Sequence, residues 1–245
     1  MSVCDYIQYD EPVHERLLRR RLDTYVHKQK LLEGWTAVID DTERAREVRS
    51  FLERYPHFLP GFYEGRSRCG VVVVSLPFCE DFIPDFTFIT INSSSLQLAL
   101  VKIERPTDKI FHTNFSFTPG FMRSLLHVRG WKSWSCENKE GLVNRCLELF
   151  QLRNAPFDRV IAKFFLVYGR RSEVEPAPLA REIWNSVRSL SNDIGVMTFD
   201  ELTFNVEGLA ADKIYNSFAV CACKQGGLFL KGDVVTENTS FSMPG

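Results

Sequence analysis

No Cys-x-x-Cys pair occurs in the chain, although it has 7 cysteines among its 245 residues. Their number is odd and their spacing irregular, which excludes a zinc-ribbon pattern and a fully paired disulfide framework. Reduced thiols in a cytoplasmic protein are the expectation. Cys221 and Cys223 fit one strand face, but no nearby histidine completes a zinc set, so they read as structural. Long apolar runs are missing too. A run such as Val71–Val74 falls far short of the ~20 residues a bilayer-spanning helix takes, and no membrane partner is expected. No basic start followed by an apolar stretch opens the chain, so no signal peptide is expected. Neither sign of charge dominates: 30 Lys and Arg against 31 Asp and Glu leave a formal net charge of −1. Bulk charge therefore points to no nucleic-acid partner, and any such surface has to be local. Repeats and low-complexity tracts are absent.

What is present is ordinary for a soluble globular protein, with 44% hydrophobic and 25% charged residues. The length suits one large domain or a domain with an appendage. Local basic spots stand at HERLLRRR (14–21), Arg66-Ser67-Arg68 and Arg170-Arg171. The first suits a solvated helix face as well as a phosphate-binding patch. Residues 1–13 look irregular and a helical period begins near 14. Asp41 or Thr42 can cap a helix whose Val48, Phe51, Leu52 and Tyr55 form an apolar stripe, and Pro56 and Pro60-Gly61 end it. Strands are expected over 70–76, 85–91 and 96–104 as an antiparallel meander. Helices over about 121–135 and 139–152, a buried strand over 159–168, a helix over 178–191 and a short strand over 194–198 follow. Phe199–Leu202 then opens one more helix. The order predicts an α/β fold, a mixed sheet flanked by helices. Three parts are expected: a helical extension over 1–39, a central domain over 40–213, and an irregular tail over 214–245 with room for a hairpin.

One group of residues carries chemistry. Pro84-Asp85 opens one strand, Lys102-Ile103-Glu104 closes the next long one, and a helix with His127 and Trp131 follows. Alternation puts Lys102 and Glu104 on one strand face and Ile103 on the other. Two acids and a lysine at one sheet end suit phosphodiester hydrolysis, in which the acids hold Mg²⁺ and the lysine orients or deprotonates water. A solvated ion pair where a strand leaves the core is the alternative. Trp131 and Trp134 read as packing residues. Gly169-Arg170-Arg171, at a strand end, suits either a phosphate backbone or an ordinary turn. His112 receives no role.

The order PDF (84–86), KIERPTDKIF (102–111), HVRGWKSW (127–134), FFLVYGRR (164–171) and MTFDEL (197–202), preceded by FLERYPHFL (51–59), resembles the nuclease domain of Shedu, a bacterial anti-phage defence family. The resemblance runs from about 40 to 205. It implies a restriction-endonuclease-like PD-(D/E)xK core and an oligomeric protein, a homo-oligomer, that cuts DNA with Mg²⁺ or Mn²⁺. Asp85 falls on the family's first metal-binding Asp. Lys102 stands where the family has Glu, Glu104 stands at the Lys-or-Glu position, and His127 stands at the helix Gln. Glu47, or less favourably Glu43, is the candidate for a further acid, and Arg170 and Arg171 for DNA contact. Positions i and i+2 lie about 6.5–7 Å apart along a strand, which is large beside a Mg–O bond of about 2.1 Å. Two readings therefore stand. In one, Asp85 and Glu104 (with Glu47) hold the metal and Lys102 and His127 assist. In the other, catalysis has lapsed, Lys102 pairs with Asp85 in the metal's place, and the domain works by binding nucleic acid or by oligomeric scaffolding.

Overall fold

The structure is a computed structural model that describes residues 25–41, 45–61, 70–91, 95–150, 159–189, 192–209, 212–215, 218–224 and 227–230. The expectations for residues 1–24, for Glu43, for Arg66-Ser67-Arg68 and for 231–245 lie outside these residues. Among the described residues, β1 (Tyr25–His27), α1 (Lys28–Asp40) and α2 (Ala45–Arg54) come first. Strands β2 (Gly70–Val74), β3 (Phe86–Ile91) and β4 (Ser95–Ile103) come next, then helices α3 (Pro119–Glu137) and α4 (Lys139–Phe150). β5 (Arg159–Val167), α5 (Pro178–Ser189), β6 (Ile194–Met197) and α6 (Thr203–Glu207) follow, and β7 (Lys213–Tyr215), β8 (Phe218–Lys224) and β9 (Gly227–Leu230) close the described chain.

Seven of the strands form one mixed sheet in the order β6-β5-β4-β3-β2-β8-β9. β2, β3 and β4 pair antiparallel, as a meander should, while β4, β5 and β6 run parallel. Parallel neighbours need crossovers, and the helices between those strands supply them on the faces of the sheet. Both faces are covered. Leu98 and Leu100 of β4 join Phe121, Leu125, Val128 and Trp131 of α3 in one core. Ala99 and Val101 join Leu31, Trp35 and Ile39 of α1 and Val48 and Leu52 of α2 in the other. Burial on both faces is why β2, GVVVV, reads as a continuous apolar run rather than as alternation. The result is a three-layer α/β fold compatible with a nuclease-like core.

Two expectations change. The described residues between 213 and 230 are strands rather than irregular: β7 pairs with β1, β8 lies parallel to β2, and β9 pairs antiparallel with β8, as the expected hairpin would. FAVCACK has little of the periodicity that marks a strand in isolation, and the pairing of β8 depends on the edge that β2 offers. Among the described residues, α1 buries Leu31, Trp35 and Ile39 in the second of these cores. α3 starts at Pro119 rather than near 121, because the Thr118 hydroxyl accepts from the Phe121 N–H and a proline suits the first helical position.

Trp35 holds the second core together. It is fully buried, stacks on Phe58 and Phe199, and donates its indole N–H to the Phe199 carbonyl at 3.2 Å. Trp35→Ala should lower the unfolding free energy by about 3–5 kcal/mol in urea denaturation. Truncation of Leu179, which is 49% exposed, should change it by no more than about 0.5 kcal/mol.

Candidate active site at the ends of β3 and β4

The register of the meander brings the charged residues together. β3 and β4 pair as far as Phe86 and Val101, so Asp85 stands one step beyond, across from Lys102. The Asp85 carboxylate extends the ladder by accepting the Ile103 N–H on Oδ2 at 2.8 Å. Its Oδ1 accepts from Nη1 of Arg49 on α2, at 3.0 Å. Arg49 also donates from Nη2 to the Ser75 hydroxyl and faces Glu53 through Nε at 3.4 Å. Glu104, just past β4, donates its backbone N–H to the Val167 carbonyl. Its Oε1 is 3.1 Å from the Lys102 ammonium and accepts the hydroxyl of Ser124, a buried residue of α3, at 2.6 Å.

Burial pushes the Asp85 carboxyl above its ordinary value. The Ile103 N–H, Lys102 and Arg49 pull it down, Glu104 pushes it up, and burial prevails. Asp85 thus feels both Lys102 and Glu104, so the four charged side chains form one electrostatic unit. The Lys102 ammonium is paired with Glu104, and the cation bonded to Asp85 is Arg49.

The other sequence candidates lie as follows. His127 is exposed: Nε2 is 3.0 Å from the Asp81 carbonyl, and the ring meets Trp131 edge-on. The α3 side chain on Glu104 is Ser124, one turn earlier. Glu47 is exposed in the first turn of α2, where an acid complements the helix dipole. The α2 acid joined to Asp85, through Arg49, is Glu53. Arg170 faces inward. It grips Asp200 through Nε and Nη2 and donates to the Ile39 carbonyl and to Asp40, both at 2.7 Å. Burial raises Asp200, but the bonds from Arg170 and the Arg171 N–H outweigh it and hold the carboxyl below its ordinary value. Arg171 pairs with Glu175 and lies over the Phe204 ring. Sequence reasoning missed Arg49, Ser75 and Ser124. Arg49 is 36 positions from Asp85, and no local spacing signals such a contact.

This donor set does not fit a divalent cation. Mg²⁺ takes about six oxygens in near-octahedral geometry. Among the described residues, no group of three or more His, Cys, Asp or Glu comes together that could hold a metal ion. Asp85 and Glu104 each already face a cation, Arg49 and Lys102. A divalent ion brought between the two acids meets both of these positive charges.

The raised Asp85 group has a pH consequence. Below its unfolded value the acid is protonated in both states. As pH rises from there through the folded value, the unfolded chain ionises first, so this group's contribution to stability is lost across that window. Wild type compared with Asp85→Asn by urea unfolding from pH 3.5 to 6 (a range set about the ordinary Asp value, ~3.9) should show the wild-type advantage falling as pH rises.

No curated protein matches the chain. The family model described as Shedu protein SduA, C-terminal, matches residues 41–203. That span runs from just before α2 to the start of α6 and contains Arg49, Asp85, Lys102, Glu104 and Ser124. By this match, over about two thirds of its length, the chain belongs to the Shedu family of bacterial anti-phage defence.

Proposed function

We propose that the chain acts in phage defence as a DNA-binding, oligomeric protein on a PD-(D/E)xK nuclease core whose hydrolytic site is closed by its own ion pairs. The observation that carries this reading is that both acids of the site face a cation, Arg49 on Asp85 and Lys102 on Glu104. Hydrolysis on such a core needs uncompensated carboxylates to gather a divalent ion, and here the compensation is internal.

Binding DNA needs exposed cations that internal carboxylates have not claimed. Arg105 and Arg123 meet this requirement: both are exposed, and among the described residues neither side chain has a partner. Each adjoins in sequence one member of the Glu104–Ser124 contact, so the two flank the closed site. Arg170, with its donors on Asp200, Asp40 and Ile39, is less suited to phosphate. Two arginines on the rim agree with a near-neutral chain whose nucleic-acid surface is local.

A plasmid incubated with Mg²⁺ or Mn²⁺ should remain uncut by wild type. Fluorescence anisotropy should show salt-sensitive binding to duplex DNA. Arg105→Ala and Arg123→Ala should each weaken it for all sequences and reduce the log–log salt slope by about 1. Metal-dependent cutting that Asp85→Ala and Glu104→Ala abolish would replace this reading with the hydrolytic one. A stable oligomer without DNA affinity would leave a scaffold.

A further inference from the structure

We infer that Arg49 and Lys102 together occupy the place of a divalent cation, and that the two together keep the Asp85–Glu104 pair from binding one. The inference deepens the closed-site reading above and rests on it. It concerns metal affinity, a property that can be measured apart from DNA.

Three features of the geometry carry it. First, the guanidinium of Arg49 is committed on all three nitrogens: Nη1 to Asp85, Nη2 to Ser75 and Nε toward Glu53. An arginine cannot give up its proton in a protein, so this charge is permanent at every pH the fold tolerates. Second, both carboxylates are also held by neutral donors. The Ile103 N–H fixes Oδ2 of Asp85 and the Ser124 hydroxyl fixes Oε1 of Glu104. These bonds survive removal of the cations, so the acids keep their places when Arg49 and Lys102 lose their charge. Third, the acids are only 24% and 25% exposed. Partly buried carboxylates without a counter-charge are costly, and a divalent cation is the compensation water can deliver. Lys102→Glu removes a cation and adds a third carboxylate across from Asp85, and a hard cation prefers oxygen ligands of this kind.

The test uses the full chain and free Mn²⁺ counted by electron paramagnetic resonance at pH 7.5. Wild type should leave the Mn²⁺ signal undiminished. Arg49→Gln combined with Lys102→Glu should bind it at least about tenfold more tightly than wild type, and adding Asp85→Asn should abolish the gain. The midpoint of thermal unfolding should rise with Mn²⁺ in the double variant and stay unchanged in wild type. Arg49→Met with Lys102→Gln removes both charges and adds no new one. It serves if the first variant does not fold, and should show a smaller gain of the same sign. Two results overturn the inference: Mn²⁺ binding by wild type that Asp85→Asn removes, or folded charge-removed variants that bind no better than wild type. The first needs no variant beyond Asp85→Asn. Failure here is separable from failure of the proposed function. A wild type silent to both Mn²⁺ and DNA removes the DNA-binding reading and leaves Arg49 and Lys102 in their role.

Discussion

The hydrogen bond from the Ile103 N–H to Asp85 is the constraint on which the site depends. It continues the β3–β4 ladder one step beyond the last paired residues, with a carboxylate in the place of a backbone carbonyl. Strand register has a period of two, so a slip of one residue would turn Lys102 and Glu104 toward α1 and α2 and put Ile103 against α3. Leu98 and Leu100 on one face and Ala99 and Val101 on the other prevent that slip, because each set completes a separate core. Packing on both faces of β4 therefore fixes which charges meet at its end. The electrostatics follow from the register.

Two arginines then join the helices of the Trp35 layer to strand ends. Arg49 links α2 to the start of β3 through Asp85, and Arg170 links the end of α1 to the segment after β6 through Asp200. A planar fork with five donors suits this work, since one side chain can meet a carbonyl and two carboxylates at fixed angles. Gly169, beside Arg170, has φ +61, and a Cβ there would lie 2.7 Å from Ile110 and 2.9 Å from the Asp108 carbonyl. That close approach brings the 105–118 segment under the strand end and leaves Arg170 as the side chain that reaches back across to α1. The same residues that at first sight suggest a phosphate-binding turn are thus engaged in holding the layers together.

Much of this was legible in the sequence, for physical reasons. The antiparallel meander, the helix carrying Trp131 and the parallel strand of β5 each declare themselves by local period or by apolar length. The proximity of Asp85, Lys102 and Glu104 followed from two adjacent strands in a hairpin, because hairpin partners are set by short loops. What stayed hidden depended on contacts between distant segments. Arg49 is an unremarked charge on an amphipathic helix until α2 packs over β3, and β8 is a weak strand until β2 offers it an edge. Ser124 is similar. A serine on a helix carries no signal, and only the crossing of α3 over β4 places its hydroxyl on Glu104. Sequence reasoning looked one turn later, to His127.

The order of charges on β4 explains why the two acids are held apart. An acid at position 102 would stand across from Asp85, between β3 and the helix above, with two carboxylates converging on one point. With lysine there, the strand's acid stands at 104, beyond the last ladder pair, where its neighbours are Ser124 on α3 and its own backbone bond to Val167. Glu104 is thereby tied to α3 and β5, and Asp85 is tied to α2 by Arg49. The two acids are held from opposite sides, each with its own cation. Converging them on one ion would mean breaking an Arg–carboxylate pair and a Lys–carboxylate pair in a partly buried setting, where leaving either partner unmatched costs more than an exposed pair would. The order of charges along one strand face, together with Arg49 from α2, thus gives each acid a cation of its own.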